Sequence, residues 1–84
     1  MNIPRRALVH YGIQRQTIKA LEELSELSTI LHHWMDKRAD AREVVEEIAD
    51  VWIMVEQLRE HFGPATVDAA IAYKLERLAK RMAA

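Results

Sequence analysis

Residues 46–55 read EEIADVWIMV, seven apolar residues interrupted by three acids, with neither glycine nor proline among them. The order of apolar residues does not alternate as a half-buried strand requires, and the surrounding pattern has a helical period. Val44, Ile48, Val51, Val55 and Leu58 recur at steps of three and four. Val45, Ala49, Trp52 and Ile53 lie largely off that stripe, so the helix is apolar on two faces. Such a helix is buried on most sides, which a small lone bundle can hardly provide. The second face is therefore expected to meet another subunit.

Working outward, both glycines and both prolines fall outside the long periodic segments. Pro4 suits the first turn of a short helix that Gly12 ends. From Ile13 to about Lys37 good helix formers dominate, and Ile18, Leu21, Leu24, Leu31 and Met35 recur at helical spacing. Asp36 to Asp40 reads as a polar connection, with Asp40 as N-cap of a helix from Ala41 to His61. Phe62-Gly63-Pro64 stops that helix, and Thr66 is placed to cap another ending near Met82. The expected fold is all-α: a small helical bundle of one short N-terminal helix and three longer ones, completed by oligomerisation. Residues 1–84 form a single domain.

The totals narrow the function classes. With 84 residues, half of them apolar and 30% charged, the chain suits one folded domain. Small domains usually need extra stabilisation, and the absence of cysteine excludes disulfides and thiolate metal sites. A formal net charge of −1 gives no general case for binding a nucleic-acid polymer. No apolar run approaches the roughly 20 residues of a membrane span. MNIPRRALVHYG lacks the apolar core of a secretory signal. A cytoplasmic protein is expected.

The acids carry the chemistry. Glu23 and Glu26 lie about 60° apart on one helix, as do Glu47 and Asp50 on the next. Packed antiparallel, the two helices can face four carboxylates across the gap. Glu43–Glu47 and Glu46–Asp50 are like-charge pairs at i, i+4, each costing roughly 0.2–0.5 kcal/mol when exposed. Two readings stand side by side: a solvated acidic face, or a site for a hard divalent cation such as Mg²⁺ or Mn²⁺. Iron is disfavoured because no Glu-x-x-His occurs. His32 and His33 are adjacent, and suit the C-terminal end of their helix by dipole interaction.

Glu-x-x-Glu in EELSEL, then Glu-x-x-Asp in EEIADVWIMVEQL, resembles the all-α nucleoside triphosphate pyrophosphohydrolases of the MazG-like group. YGIQRQ and KLERL extend the likeness to the short single-domain members of phage and bacterial genomes, over about Tyr11 to Leu78. The resemblance implies hydrolysis of a nucleoside triphosphate, ribo or deoxy, to the monophosphate and pyrophosphate, with a role in nucleotide-pool housekeeping. It implies that Glu23, Glu26, Glu47 and Asp50 hold Mg²⁺, with Mn²⁺ the other candidate. Glu26 is assigned as the proton acceptor from water, and Glu22, Glu46 and Glu43 stand beside the metal acids.

Phosphate and base contacts fall to residues outside the acid cluster. Lys74 and Arg77 match basic positions of relatives, and equally suit a solvated helix face. Gln16 and Lys19 lie one or two turns before Glu23 and could reach substrate or simply the surface. Trp34 and Trp52 are more readily core or interface than base-stacking residues. The short connection at 36–40 leaves little to enclose a base, so a neighbouring subunit, in a dimer or tetramer, is expected to complete the pocket. Two rival readings are phosphoribosyl-ATP pyrophosphohydrolase, and a non-catalytic helical oligomerisation module whose acids only solubilise it.

Overall fold

Residues 2–84 are described by a computed structural model. The chain is all-helical: α1 Ile3–Tyr11, α2 Ile13–Met35, α3 Ala41–Phe62 and α4 Pro64–Ala83. No strand occurs among the described residues. Among the described residues, no helix is long and apolar enough to cross a membrane.

The helix ends follow from particular residues. Asn2 caps α1, its side-chain oxygen accepting from the Arg5 N–H at 3.0 Å. The Asn2 amide nitrogen donates to Glu60 at 2.7 Å, tying the start of α1 to the end of α3. Gly12 alone joins α1 to α2, at φ 87°, a conformation that side chains disfavour. Asp40 and Glu43 form a reciprocal capping box at the start of α3. Gly63, at φ 108°, is the whole connection to α4. The expected Thr66 cap is corrected: α4 starts at Pro64, with Gly63 in the cap position, and Thr66 lies in the first turn. Proline tolerates that start because its missing N–H would have no helical partner there.

α2 and α3 pack as an antiparallel hairpin about residues 36–40. Gln16, near the start of α2, bonds Gln57, near the end of α3, while Glu23 and Glu26 approach Glu47 midway. α1 packs against both, mostly on α3, whereas α4 touches α3 alone. Arg59 of α3 grips Asp68 of α4 through two bonds, at 2.8 and 2.6 Å.

What lies between the long helices is unusual. Ala20 and Met54 are the buried apolar residues, and Gln16, Glu23 and Gln57 are buried beside them. Leu21, Leu24, Leu31 and Met35 on α2 are exposed, as are Val45, Ile48, Trp52 and Val55 on α3. The α2 row is centred about 90° around its helix from the buried line, and the α3 row about 150°. Because the helices run antiparallel, both rows fall on the same side of the hairpin. One chain thus packs its polar seam inward and leaves an apolar face uncovered.

The dimensions agree. The radius of gyration is 15.4 Å, against about 12 Å for a compact globule of this length. The accessible surface is 6746 Å², against about 5,200 Å² for a typical folded monomer of this mass.

Candidate metal centre

Glu23 and Glu26 reach one face of α2 because they are three residues apart, and Glu47 meets them from α3. One oxygen from each lies within 4.8 Å of the others. Glu23 is only 7% exposed, Glu47 half-buried and Glu26 exposed. The three therefore grade from the hairpin interior to solvent.

Their electrostatics are unresolved by the protein itself. Glu23 Oε1 pairs with Lys19 at 3.2 Å. Its other oxygen, and Glu47 Oε1, are buried with no hydrogen-bond partner. Such atoms lose hydration without replacement, which is costly for charge. Contact with Glu23, then burial, then the charges of Glu23, Glu26 and Asp50 push the Glu47 carboxyl up to about 7. Glu23 moves the other way, held below the ordinary glutamate range chiefly by the adjoining Glu47 carboxyl, helped by Lys19 and opposed by burial. The pair is stable as one protonated and one ionised carboxyl. A bound proton or a bound cation serves the same electrostatic need.

A cleft of about 390 Å³ opens beside this cluster, lined by Ser25, Glu26, Thr29, Ile30, His33, Glu43 and Glu47. A larger hollow of about 640 Å³ runs along α1 and has no carboxylate in its lining. The acids lie at the smaller one, with Glu26, Glu43 and Glu47 in its lining.

Asp50 is exposed and stands outside the close trio, though near enough for its charge to act on Glu47. Glu22 is exposed at the surface beside Lys19 (3.9 Å), and Glu46 pairs with Arg42 at 3.3 Å. Glu43 serves the capping box and also lines the cleft. Lys19 sits against Glu23 rather than free for a phosphate, and their mutual pairing raises its pKa. Lys74 and Arg77 lie on α4, which touches neither α1 nor α2, so the chain does not bring them to the α2 acids. Arg77 instead covers the Tyr73 ring at 5.8 Å.

Two features escaped the sequence reading. Gln57 is the most enclosed side chain, 2% exposed, and accepts from Gln16 at 2.8 Å. Its spacing of seven from Asp50 and ten from Glu47 would have placed it on the acid face of α3. His33 lines the cleft, while His32 turns back to the Ser28 carbonyl at 2.8 Å. Trp34 and Trp52 are both exposed.

The donor set suits a hard divalent cation: oxygen only, anionic, partly enclosed and open to solvent on one side. No family model, curated protein or solved structure matches the chain.

Proposed function

We propose that the chain is a metal-dependent nucleoside triphosphate pyrophosphohydrolase. The observation that carries the reading is the buried Glu23 oxygen, aimed without a donor at Glu47 and Glu26. A solvated acidic face would keep its carboxylates in water; this one holds two of them at the hairpin seam. The reaction type rests on the resemblance of EELSEL and EEIADVWIMVEQL to that enzyme class.

Glu23, Glu26 and Glu47 would hold Mg²⁺ or Mn²⁺, with Asp50 able to join at the open side. Bound there, the cation supplies neutralisation of the triphosphate and a lowered pKa for water. The chain's own residues divide the remaining tasks. Lys19 keeps Glu23 ionised and fixed. Gln57 holds Gln16 in one orientation, one helical turn and more from the acids. Glu26, the exposed carboxylate of the trio, is placed to accept a proton from water entering the cleft. Attack of that water on the α-phosphorus breaks its bond to the bridging oxygen, releasing the monophosphate and pyrophosphate. A neighbouring subunit completes the base pocket in this reading, since the cleft is open and Lys74 and Arg77 are remote from it.

A second reading, a non-catalytic helical oligomerisation module, is favoured by the extent of exposed apolar surface. Pyrophosphate release from a panel of ribo- and deoxynucleoside triphosphates, in Mg²⁺ or EDTA, separates the two. The enzyme reading expects metal-dependent release by the wild type, lost in Glu47→Gln and Glu26→Gln. Folded wild-type protein inactive on every member would favour the module.

A further inference from the structure

Among the described residues, the buried line between α2 and α3 holds two apolar side chains, Ala20 and Met54, and a pair of amides. Gln16 Nε2 donates to Gln57 Oε1 at 2.8 Å, with Gln57 2% exposed and Gln16 9%. On its other side, Gln57 Nε2 faces Met54 Sδ at 3.7 Å. The sulfur is a weak acceptor, so it favours the amide nitrogen on its own side and turns the oxygen toward Gln16. Ten residues on from Gln16 along α2 stands Glu26, and ten residues back from Gln57 along α3 stands Glu47. In an antiparallel hairpin both steps cover the same length of axis, about 15 Å. The amide bond and the meeting of the acids therefore belong to one register.

The other contacts of the seam specify that register poorly. One methyl group and one flexible thioether can pack at several heights. The acids recur along α3, so a slide by one turn, about 5.4 Å, sets Glu43 or Asp50 where Glu47 stands. The amides do discriminate. The slide that brings in Glu43 also sets Ile53 against Gln16, and an alkyl side chain accepts no hydrogen bond. The slide that brings in Asp50 sets Glu60 there, pulling it from its 2.7 Å bond with Asn2.

We propose that the Gln16–Gln57 hydrogen bond sets the register of α3 on α2, and that this register brings Glu23, Glu26 and Glu47 within 4.8 Å of one another. Selecting one alignment among near-equal ones is the best-attested use of a buried polar pair. Gln16 and Gln57 are then positioning residues, acting on the carboxylates by aligning the helices that carry them. The consequence for metal binding rests on reading the trio as a metal centre; the alignment itself does not.

Gln16→Met/Gln57→Met removes both amides together, a change that is nearly neutral for stability when no partner is left behind. The chain has no cysteine, so Ser28→Cys and Ala49→Cys, at exposed positions of α2 and α3, take spin labels cleanly. Labelled protein is diluted into unlabelled protein in EDTA, so that distances within one chain are read. One narrow distance is expected with the amides present, and a second or much broader distribution in the double variant. Mn²⁺ titration should show roughly ten- to hundredfold weaker binding, although urea melts find the variant about as stable as the wild type. Should the double variant fail to fold, Ile53→Gln/Gln57→Met moves the acceptor by one turn and is expected to shift the distance to a new narrow value. Unchanged distances would overturn the proposal. Changed distances with Mn²⁺ affinity kept would overturn it equally, since the acids would then assemble without the register. A wild type that binds no Mn²⁺ would remove the metal reading, and the spin-label distances alone would then decide the register.

Discussion

Replacing Glu47 by glutamine tests the electrostatics of the seam without any substrate. In the metal-free wild type, Glu23 beside it and burial push the Glu47 carboxyl from its ordinary 4.5 up to about 7. A group with a raised folded pKa favours folding while protonated. That contribution is complete below the ordinary value and is lost as pH rises through about 7. Glu23 moves in the opposite sense, but its titration lies below the ordinary glutamate range and outside a window of pH 5 to 8. The displacement of Glu47 corresponds to about 3 kcal/mol at most. Solvent at the cleft mouth reduces this to about 1–2 kcal/mol. Glutamine cannot ionise, and its amide can donate to the unpartnered Glu23 oxygen. In EDTA and at fixed protein concentration, Glu47→Gln is therefore expected to match the wild type near pH 5. At pH 8 it should exceed it by about 1–2 kcal/mol, or roughly 5–15 °C in Tm. Urea and thermal melts at four or five pH values measure this. A variant no more stable than wild type at pH 8, or a gap that widens toward acid, would refute the account of the pair.

Divalent metal should reverse that ranking. Mg²⁺ or Mn²⁺ at about a hundred times its dissociation constant is expected to stabilise the wild type by about 2.7 kcal/mol. The effect should be larger at pH 8 than at pH 6, since metal displaces the shared proton, and absent in Glu23→Gln by thermal shift. Asp40→Ala removes the side-chain half of the α3 capping box and should cost about 1 kcal/mol in urea melts. Gly63→Ala forces a side chain to φ 108° with its Cβ 3.4 Å from Thr66 Oγ1. A loss of about 1–3 kcal/mol is expected, with faster amide exchange along α4. Breaking the clasp with Arg59→Met should speed exchange in residues 64–70 and leave that of α2 unchanged; equal rates in both variants and wild type would remove the clasp's role.

Much of this was legible in residue order. Glycine and proline stand only at the ends and joints of the helices, so the four helices and their approximate limits could be read directly. The carboxylates at 23, 26 and 47 also converge as their spacing required, once a five-residue connection made the neighbours antiparallel. Which face turns inward was not legible. Periodicity sorts Leu21, Leu24 and Trp52 from Glu23 and Gln57, but it assumes that the apolar side is the interior of one chain. Here the buried seam holds Gln16, Glu23 and Gln57 beside only Ala20 and Met54. Helical periodicity also could not say that α4 leaves the hairpin, because its direction is fixed by the dihedrals of one glycine.

That glycine makes α4 a lever. Over a helix about 30 Å long, a ten-degree turn at Gly63 displaces the far end by about 5 Å. Arg59 and Asp68 grip close to the pivot, where they set the angle but resist little force applied at Met82. The reach of the arm is thus tuned by a single backbone position. Substitutions around residue 63 would re-aim Lys74, Arg77 and Arg81 without touching the acids, so the cations of α4 can move while the carboxylate seam stays fixed.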